Sequence, residues 1–514
     1  MEEADVVVIG SGAAGLSAAL AASTSGARVL VLEASSRYGG ATAVSGGQVW
    51  APANHRMAEI GLDDSLEAAL TYCEAAAPGR DRGLVETFLR SVPAVVRSVE
   101  NLSPIRFAPV PDYPDTFAEL PGGRTARHVE ARPVPVGDLG PLDDLLWPAP
   151  FAPPVLTYQE GLESRLFIGG SPPIELIRER LSEGVVTLGA GLVVGLLHAC
   201  RQASVTLIRG CRAERLLQDR QGRVVGVEAR REGSTRPVRA GGVVLATGGF
   251  EHDSALRRRQ LSGPLTHPVT PPVLFGDGLR MAGRAGAQLA YTGEFWSWPV
   301  CQEPGRCWPD TDATARPQLA WGERSLPHVL WVNTWGNRFV NETSHNCAAA
   351  FGELDPSTHR LRNLPAWAVG DAQFRGRYPV AGTPPASPLP DWLPQAASVR
   401  DLAGSLGVDA AVLERTVSRF NAMAARGRDE DFQRGQSRYE RAMGDPDAPH
   451  PNLGPVCEPP FFALPVHPGA VGTKGGPLTD AAACWTGRAR PSPVFTPPAT
   501  PPPPSSARGR SPAA

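Results

Sequence analysis

The sequence predicts an α/β protein built on a Rossmann-like, nucleotide-binding domain. Three observations support this prediction: an apolar strand over residues 5–9, a turn with the spacing GxGxxG directly after it, and a second strand, ARVLVLE, that ends in an acidic residue. The chain has 514 residues, which is enough for two or three domains with large cores.

The glycine-rich turn supplies what a dinucleotide pyrophosphate needs. Gly10 permits the tight turn, Gly12 lets the backbone approach the pyrophosphate, and Gly15 lets the helix pack closely on the strand. Ala13 and Ala14 open the helix, whose N-terminus offers free N–H donors and a positive dipole. A glycine-rich turn without a ligand is the alternative, but the strand, the helix and the acidic residue all favour dinucleotide binding.

The second strand ends at Glu33, followed by Ala34. A carboxylate at this position can accept both ribose hydroxyls of an adenosine. An arginine there would have indicated a phosphorylated ribose.

A second run of small residues favours FAD over NAD. Its backbone could let a chain lie along an extended cofactor as far as the ring. The residues concerned are Gly39, Gly40, Ala41, Thr42, Ser45, Gly46 and Gly47. An NAD-linked dehydrogenase does not need this second cradle and is a distant alternative. Further on, a β-meander is predicted to end in a buried strand followed by Ala246, Thr247 and Gly248, which would either contact the flavin or end one more sheet strand.

Together these motifs resemble the flavoprotein superfamily of fumarate reductases and 3-ketosteroid dehydrogenases, and more closely its steroid branch. GGATAVSGGQVWAP and ATGGFEH match that branch's GGxTAxSGGxVWxP and ACGGFE. The likeness continues through GDGLRMAGRAGAQL, VNTWGNRFVNE, RFNAMAARGRDEDFQRG and PGAVGTKGG, over residues 5–480 with gaps. It implies FAD as the cofactor, with Gly276 and Asp277 among the residues that bind it.

The resemblance also implies an FAD-binding domain interrupted by an α+β substrate and catalytic domain. We expect the first part of the FAD-binding domain over residues 1–286, the catalytic domain over 287–459, a return to the first domain over 460–480, and a disordered tail over 481–514. A Pro-rich insertion between Pro104 and Pro173 is either a lid over the substrate or surface decoration.

In the steroid branch a tyrosine removes the proton next to the ketone, a second tyrosine and backbone donors polarise the ketone oxygen, and the flavin takes a hydride. Thr116 and Phe117 stand where that branch has a tyrosine pair, so Tyr113 is the candidate substitute. His345 and Asn346 follow RFVNE, where a tyrosine is usual. The histidine could take a proton and the asparagine could donate to an oxyanion, or both could form only local hydrogen bonds.

Lys474 is the one lysine among fifty basic residues, so either a compact ammonium is needed there or its presence is chance.

The formal net charge of −2 gives no reason to expect nucleic acid or an anionic membrane as a partner. The longest apolar run, residues 188–199, is too short for a bilayer and predicts a buried helix without stable membrane insertion. With no secretory leader and no metal-site cysteine spacing, we expect a cytoplasmic enzyme with no metal, a steroid-like or other bulky apolar ketone as substrate, and a separate electron acceptor.

The C-terminal sequence departs from the family pattern after Asp480. Where relatives have a further strand and a Tyr-Pro-Gly-Pro-Gly loop, this chain reads AAACWTGRARPSPVFTPPAT. Read from the third base of each codon, the same stretch can encode the family-like G-L-Y-A-A-G. We therefore predict a frameshift just after Asp480, with a genuine Pro-rich tail as the alternative. The lost tyrosines and the lost end make a flavin-binding paralogue or remnant without turnover the alternative function.

Overall fold

A computed structural model of the chain describes residues 3–149, 154–311, 314–480 and 484. The strands of these residues are β1 (Glu3–Ile9), β2 (Val29–Leu32), β3 (Val49–Trp50), β4 (Phe107–Pro109), β5 (His128–Ala131), β6 (Val134–Pro135), β7 (Val185–Val186), β8 (Thr206–Ile208), β9 (Cys211–Gln218), β10 (Val224–Arg231), β11 (Ser234–Leu245), β12 (His267–Pro268), β13 (Leu289–Ala290), β14 (Phe295–Cys301), β15 (Gln318–Leu319), β16 (Val329–Asn333), β17 (Ala366–Gly370), β18 (Gln395–Ala396), β19 (Phe461–Thr473) and β20 (Gly476–Pro477).

The α-helices are α1 (Ala13–Thr24), α2 (Gly40–Ala43), α3 (Leu66–Ala76), α4 (Arg82–Leu102), α5 (Leu142–Leu145), α6 (Tyr158–Glu163), α7 (Ile174–Glu183), α8 (Leu188–Gln202), α9 (Ser254–Gln260), α10 (Asp277–Arg284), α11 (Trp321–Ser325), α12 (Ala372–Arg377), α13 (Val399–Leu406), α14 (Ala410–Ala425) and α15 (Arg438–Ala442). Short 3₁₀ helices span Ala58–Ile60, Gly137–Leu139, Leu166–Ile168 and Cys347–Gly352.

The first sheet has the strand order β8-β2-β1-β11-β10-β9. Its first four strands are parallel, and β11, β10 and β9 form an antiparallel meander. Val7 and Val8 of β1 are fully buried because helices and the meander cover the two faces of the sheet. The α/β prediction, the meander and the buried helix over residues 188–199 are confirmed.

The outer edge of β11 is only partly paired. β10 follows β11 as far as Arg239, which lies opposite Gly226, whereas β1 continues along it to Leu245. Within the described part of the chain, residues 240–245 therefore pair with β1 on one side and with no strand on the other. Val243 is half-buried, although its neighbour Val7 on β1 is fully buried.

The second sheet has the order β15-β14-β19-β17-β16, with β12 and β18 also pairing to β19. Helices α13 and α14 cover one face, where Leu402, Leu413 and Phe420 are completely buried. The two helices separate at Gly407, which has a left-handed φ of 68°.

The domain limits from the sequence stay a prediction, and β19 bears on one of them. The segment expected to return to the first domain, residues 460–480, supplies the central strand of the second sheet through Thr473. After that strand, Gly476–Pro477 pairs with β13. The tail predicted over 481–514 lies outside the described residues, apart from the exposed Cys484.

In the portion of the chain that the structure covers, no helix is long and apolar enough to cross a bilayer. The same portion holds no group of three or more His, Cys, Asp or Glu side chains that could share a metal ion.

Candidate active site

The turn between β1 and α1 leaves no room for side chains. Gly10 has φ of 104°, and a Cβ there would lie 2.3 Å from the carbonyl oxygen of Ala246. A Cβ on Gly15 would lie 2.0 Å from the carbonyl oxygen of Gly10. The turn, the helix and the end of β11 therefore touch through their backbones, as the sequence predicts for a dinucleotide cradle.

Helix α1 begins without a side-chain cap, because its N-cap is Gly12. The backbone N–H of Ala13 donates to Thr42 Oγ1 over 3.1 Å, which joins the first turn to the second glycine-rich segment. Ala14 is exposed. An uncapped helix start of this kind is suited to a phosphate group.

Glu33 lies at the carboxyl end of β2 with 7% of its surface exposed, and Ala34 after it is half-buried. Its Oε2 accepts hydrogen bonds from the backbone N–H of Ser11 over 3.1 Å and from Ser11 Oγ over 2.5 Å, and its Oε1 accepts from the N–H of Ser35 over 2.8 Å. Burial raises the pKa of Glu33 against the opposing effect of these hydrogen bonds. The carboxyl group is thus fixed in place beside the glycine turn.

The second small-residue segment wraps against α1 and α8. The N–H of Gly39 donates to Ser11 Oγ over 3.0 Å, and Ser45 Oγ donates to the carbonyl oxygen of Thr42 over 2.8 Å. A Cβ on Gly47 would lie 2.3 Å from the carbonyl carbon of Leu188. The remaining predicted positions of this segment, Gly40, Ala41 and Gly46, are half-buried.

The end of β11 closes the cradle. The N–H of Ala246 donates to the carbonyl oxygen of Ile9 over 2.9 Å, which continues the pairing with β1. Thr247 Oγ1 accepts from the N–H of Gly278 over 3.1 Å. Gly248 is exposed in the left-handed region, with φ of 68°.

Gly276 and Asp277 start α10 beside this strand end. Gly276 has φ of 75° and donates its N–H to the carbonyl oxygen of Gly249 over 3.0 Å. Asp277 Oδ2 accepts from Arg212 Nη1 over 2.6 Å, and burial raises the pKa of Asp277 despite that positive charge. Gly276 thus contacts the segment that follows β11, and Asp277 contacts β9.

These segments fit an extended dinucleotide. They meet at the carboxyl ends of parallel strands, where ligands bind in open α/β sheets. The positions at which a Cβ would collide with backbone (Gly10, Gly15 and Gly47) leave a cradle lined by main-chain atoms. Glu33, the start of α1 and the end of β11 would hold the adenosine, the pyrophosphate and the flavin in that order.

A second group of residues forms an aromatic cluster between the insertion and the second sheet. Its members are Tyr113, Tyr158, Trp298, Trp321, His345 and Tyr439. The ring of Tyr113 packs edge-on against Tyr158 at 5.5 Å and against Tyr439 at 6.3 Å. His345 lies 5.7 Å from Tyr439 and 6.5 Å from Trp298, again edge-on. The cluster thus joins residues more than 200 positions apart.

Two of the predicted catalytic residues belong to this cluster. Burial, and then the neighbouring Tyr439, raise the pKa of Tyr113 well above its usual value. Burial lowers the pKa of His345 to about 4, with help from the positive charges of Arg324 and Lys474. Burial therefore favours the neutral imidazole, and the proton-accepting role of His345 stays a prediction.

The other two lie outside the cluster. Asn346 is exposed at the start of a 3₁₀ helix. Lys474 Nζ is 3.5 Å from Glu294 Oε2 and 4.4 Å from the centre of the Trp296 ring. The ammonium group of Lys474 thus already has a carboxylate and an aromatic partner.

Sequence reasoning missed three buried polar residues. Tyr439 places its hydroxyl 3.5 Å from His345 Nδ1. Arg324 is 1% exposed and stacks on Trp298 at 4.3 Å. Glu251, 1% exposed, accepts a 3.5 Å hydrogen bond from Thr473 Oγ1, which joins the ATGGFE and GTKGG segments. Only Glu251, which lies inside a quoted motif, carried a local signal.

The fold and the cradle define a dinucleotide-binding protein. A protein-family comparison matches residues 5–489 to the family described as an FAD binding domain. The chain belongs to this FAD-binding family, and the predicted cofactor is confirmed.

Three relatives narrow the class. The 4-oxocyclohexanecarboxylate 2-dehydrogenase of Sinomonas cyclohexanicum is 38% identical over 93% of this chain and 84% of its own. The 3-oxosteroid 1-dehydrogenase of Mycolicibacterium smegmatis is 34% identical over 93% of this chain and 88% of its own. The crystal structure of 3-ketosteroid delta1-dehydrogenase from Sterolibacterium denitrificans, in complex with 1,4-androstadiene-3,17-dione, superposes with a TM-score of 0.84 at 31% identity, covering 94% and 90% of the two chains.

These similarities confirm the resemblance to the steroid branch. They also confirm that the chain is an FAD-dependent dehydrogenase that acts on a CH–CH bond next to a ketone. Its substrate is a small molecule.

Proposed function

We propose that the chain desaturates a bulky cyclic ketone. The aromatic cluster would bind the ring of this substrate beside its ketone group. The single observation that supports this proposal is the joining of Tyr113, His345 and Tyr439 in one cluster. We infer that this cluster lies near the end of β11, because the positive charge of Lys474 helps to lower the pKa of His345 and the adjacent Thr473 contacts Glu251, which follows β11. The named substrates of the relatives, 4-oxocyclohexanecarboxylate and 3-oxosteroids, are cyclic ketones and support the same class.

The residues of the cluster and those near it would bind and orient the substrate. Trp298 and Trp321, stacked at 5.5 Å, offer an apolar wall to the ring. Tyr113 remains a phenol at neutral pH and would donate a hydrogen bond to the ketone oxygen. Asn346 and Lys474 would lie at the rim and orient the substrate. FAD, when bound, supplies the acceptor for the hydride.

Two further elements belong to this proposal. A separate electron acceptor would reoxidise the flavin after each turnover. We place the protein in the cytoplasm, and fractionation of cells that express it would test that location.

Anaerobic mixing tests the function. The flavin absorbance should bleach when 4-oxocyclohexanecarboxylate or a 3-ketosteroid is added, and it should not bleach with cyclohexanecarboxylate, which lacks the ketone. If no cyclic ketone bleaches the flavin of a protein that has bound FAD, the proposed function is wrong.

A second candidate is a chain that binds FAD without turnover. The observation that favours it is the outer edge of β11, where residues 240–245 have no second partner among the described residues. A frameshift after Asp480 would remove a strand that could pair there, and the family match ends at residue 489. Resequencing the DNA around codon 480 tests the frameshift. If a frameshift is present, the protein made from the corrected reading frame should have a higher FAD content and a higher unfolding temperature. An intact reading frame around codon 480 would rule out the frameshift.

A further inference from the structure

Helix α4 carries two apolar stripes along its length, and only one of them packs inside the protein. The buried stripe contains Leu89, Val92, Val96 and Val99. The apolar side chains of the other stripe are exposed to solvent, with exposed fractions of 41% for Leu84, 49% for Phe88, 51% for Val95 and 39% for Leu102. A continuous apolar surface of this kind on a folded protein marks an interaction site.

The exposed stripe has the spacing of a coiled-coil seam. Its positions follow one another in steps of four and three residues, and they are Leu84, Phe88, Ser91, Val95, Ser98 and Leu102. This is the a and d pattern of a heptad repeat, in which one face of a helix packs against a partner helix. All these positions, which we call the exposed seam, are accessible to solvent, and none of them is charged. The exposed seam is therefore suited to an apolar helix rather than to a polar ligand.

The order of large and small side chains makes the exposed seam complementary to itself. Consider a second α4 that runs antiparallel, in the register that places Phe88 level with Ser98. Val95 is then level with Ser91, and the leucines at the two ends of the seam meet each other. Each large side chain in the middle of the seam faces a serine, which leaves room for the two helices to interdigitate. A surface that fits a second copy of itself is what a two-fold symmetric interface requires.

We propose that the exposed seam of α4 is the docking surface for a second copy of this chain, which binds through its own α4 in an antiparallel, two-fold symmetric pair. The proposal is independent of the reaction, because the seam contains no residue of the cradle or of the aromatic cluster. The helix has 21 residues and is about 31 Å long. A contact along one such helix is at the lower end of specific interfaces, which bury about 1,200–2,000 Å² in total. The dimer should therefore be reversible and depend on protein concentration.

The charges beside the exposed seam also bear on the choice of partner. Arg90 and Arg97 are exposed on α4 and lie outside the seam. In the antiparallel pair, Arg90 of one copy lies near the level of Arg97 of the other, at the outer edge of the contact. Salt screens the repulsion between exposed like charges, so the dimer should strengthen as the NaCl concentration rises. An acidic partner or an anionic lipid surface on the same arginines would instead bind more weakly in salt.

Sedimentation of the protein with bound FAD, over a range of protein and NaCl concentrations, tests the proposal. The wild type should pass from monomer to dimer as its concentration rises. Val95→Asp places a charge in the middle of the seam and should raise the dimer dissociation constant by about tenfold or more. Leu181→Asp is the matched control, since Leu181 is 55% exposed on α7, and this variant should dimerise as the wild type does.

Three results of this measurement would overturn the proposal. They are a wild type that stays monomeric at every concentration, a Val95→Asp variant that dimerises as well as the wild type, and a dimer that dissociates as NaCl is added. FAD content and urea unfolding show whether each variant is folded. If Val95→Asp does not fold, cross-linking decides the matter.

Cysteine cross-linking tests the direction of the two helices. Ala94 would lie beside the two-fold axis of the antiparallel pair, so Ala94→Cys should form a covalent dimer with a short bismaleimide. Leu84→Cys should not, because the two copies of position 84 would be about 27 Å apart along the helices. The wild type, in which Cys457 and Cys484 are exposed, supplies the background reaction. Cross-linking through position 84 but not through position 94 would overturn the antiparallel arrangement.

A lipid surface is the other occupant that the experiment can reveal. If the chain stays monomeric and sediments with vesicles of phosphatidylcholine and phosphatidylglycerol, and Val95→Asp does not, the exposed seam binds lipid and the proposal is overturned. None of these outcomes affects the proposed function, which is judged by the bleaching of the flavin with cyclic ketones.

Discussion

Substituting alanine for Gly15 tests the backbone contact on which the cradle depends. The new Cβ would lie 2.0 Å from the carbonyl oxygen of Gly10, whereas carbon and oxygen ordinarily approach to about 3.3 Å. Helix α1 must therefore move away from the turn by roughly 1 Å or more. Overpacking of this kind destabilises by about 1–3 kcal/mol, and the better helix propensity of alanine offsets at most about 1 kcal/mol.

The displacement should also weaken FAD binding, because the helix start and Glu33 would no longer face the same ligand. We expect the FAD dissociation constant of Gly15→Ala to rise by about tenfold or more, equivalent to about 1.4 kcal/mol. Flavin fluorescence quenching measures the affinity, and urea unfolding of the apoprotein measures the stability.

Gly404→Ala is the matched control, since it makes the same change inside helix α13. No atom lies within 4 Å of a Cβ at Gly404, so this variant should gain up to about 1 kcal/mol from helix propensity and keep the affinity for FAD. Wild-type FAD affinity and stability in Gly15→Ala would refute the reasoning.

Three further predictions concern buried charges. Glu33→Gln should raise the FAD dissociation constant by about tenfold, because the amide cannot accept from Ser11 and a ribose as the carboxylate does; an unchanged titration would exclude the ribose contact. Arg127→Met should lower the free energy of unfolding by about 3–5 kcal/mol, because it leaves two buried carboxylates unpaired, whereas Arg178→Met, at an exposed ion pair, should change it by less than about 1 kcal/mol; similar urea midpoints for the two variants would contradict this. Burial acts to raise the pKa of Glu342, but the charges of Arg338 and Arg434, together with hydrogen bonds from Arg338 and the backbone of Trp331, lower it below its ordinary 4.5. The stabilising contribution of Glu342 is therefore complete above pH 4.5 and is lost as the pH falls through the folded pKa. Glu342→Gln should therefore be less stable at pH 7 and depend less on pH below 4.5, and a variant that follows the wild-type pH profile would argue against the pairing.

The nucleotide half of the molecule was predictable because its signals are local. Gly10, Gly15 and Glu33 lie within one strand–turn–helix–strand unit. The two glycines are needed because a side chain would collide with the backbone, and Glu33 supplies a carboxylate, so both features can be recognised from the local sequence. The cofactor followed from a second segment only a few residues further along the chain.

The aromatic cluster could not be derived in the same way. Tyr113 and Tyr439 are more than 300 residues apart and meet only because the insertion packs against α15. The low pKa of His345 depends on its burial and on Arg324, neither of which its neighbours in sequence indicate. The central place of β19 in the second sheet likewise depends on pairing with strands far away in the chain.

Titration of the apoprotein with FAD tests the central claim most directly. The account predicts that flavin fluorescence is quenched until one FAD is bound per chain and that Gly15→Ala shifts the curve to higher FAD concentration. A wild-type chain that folds but leaves the fluorescence of added FAD unchanged would contradict it.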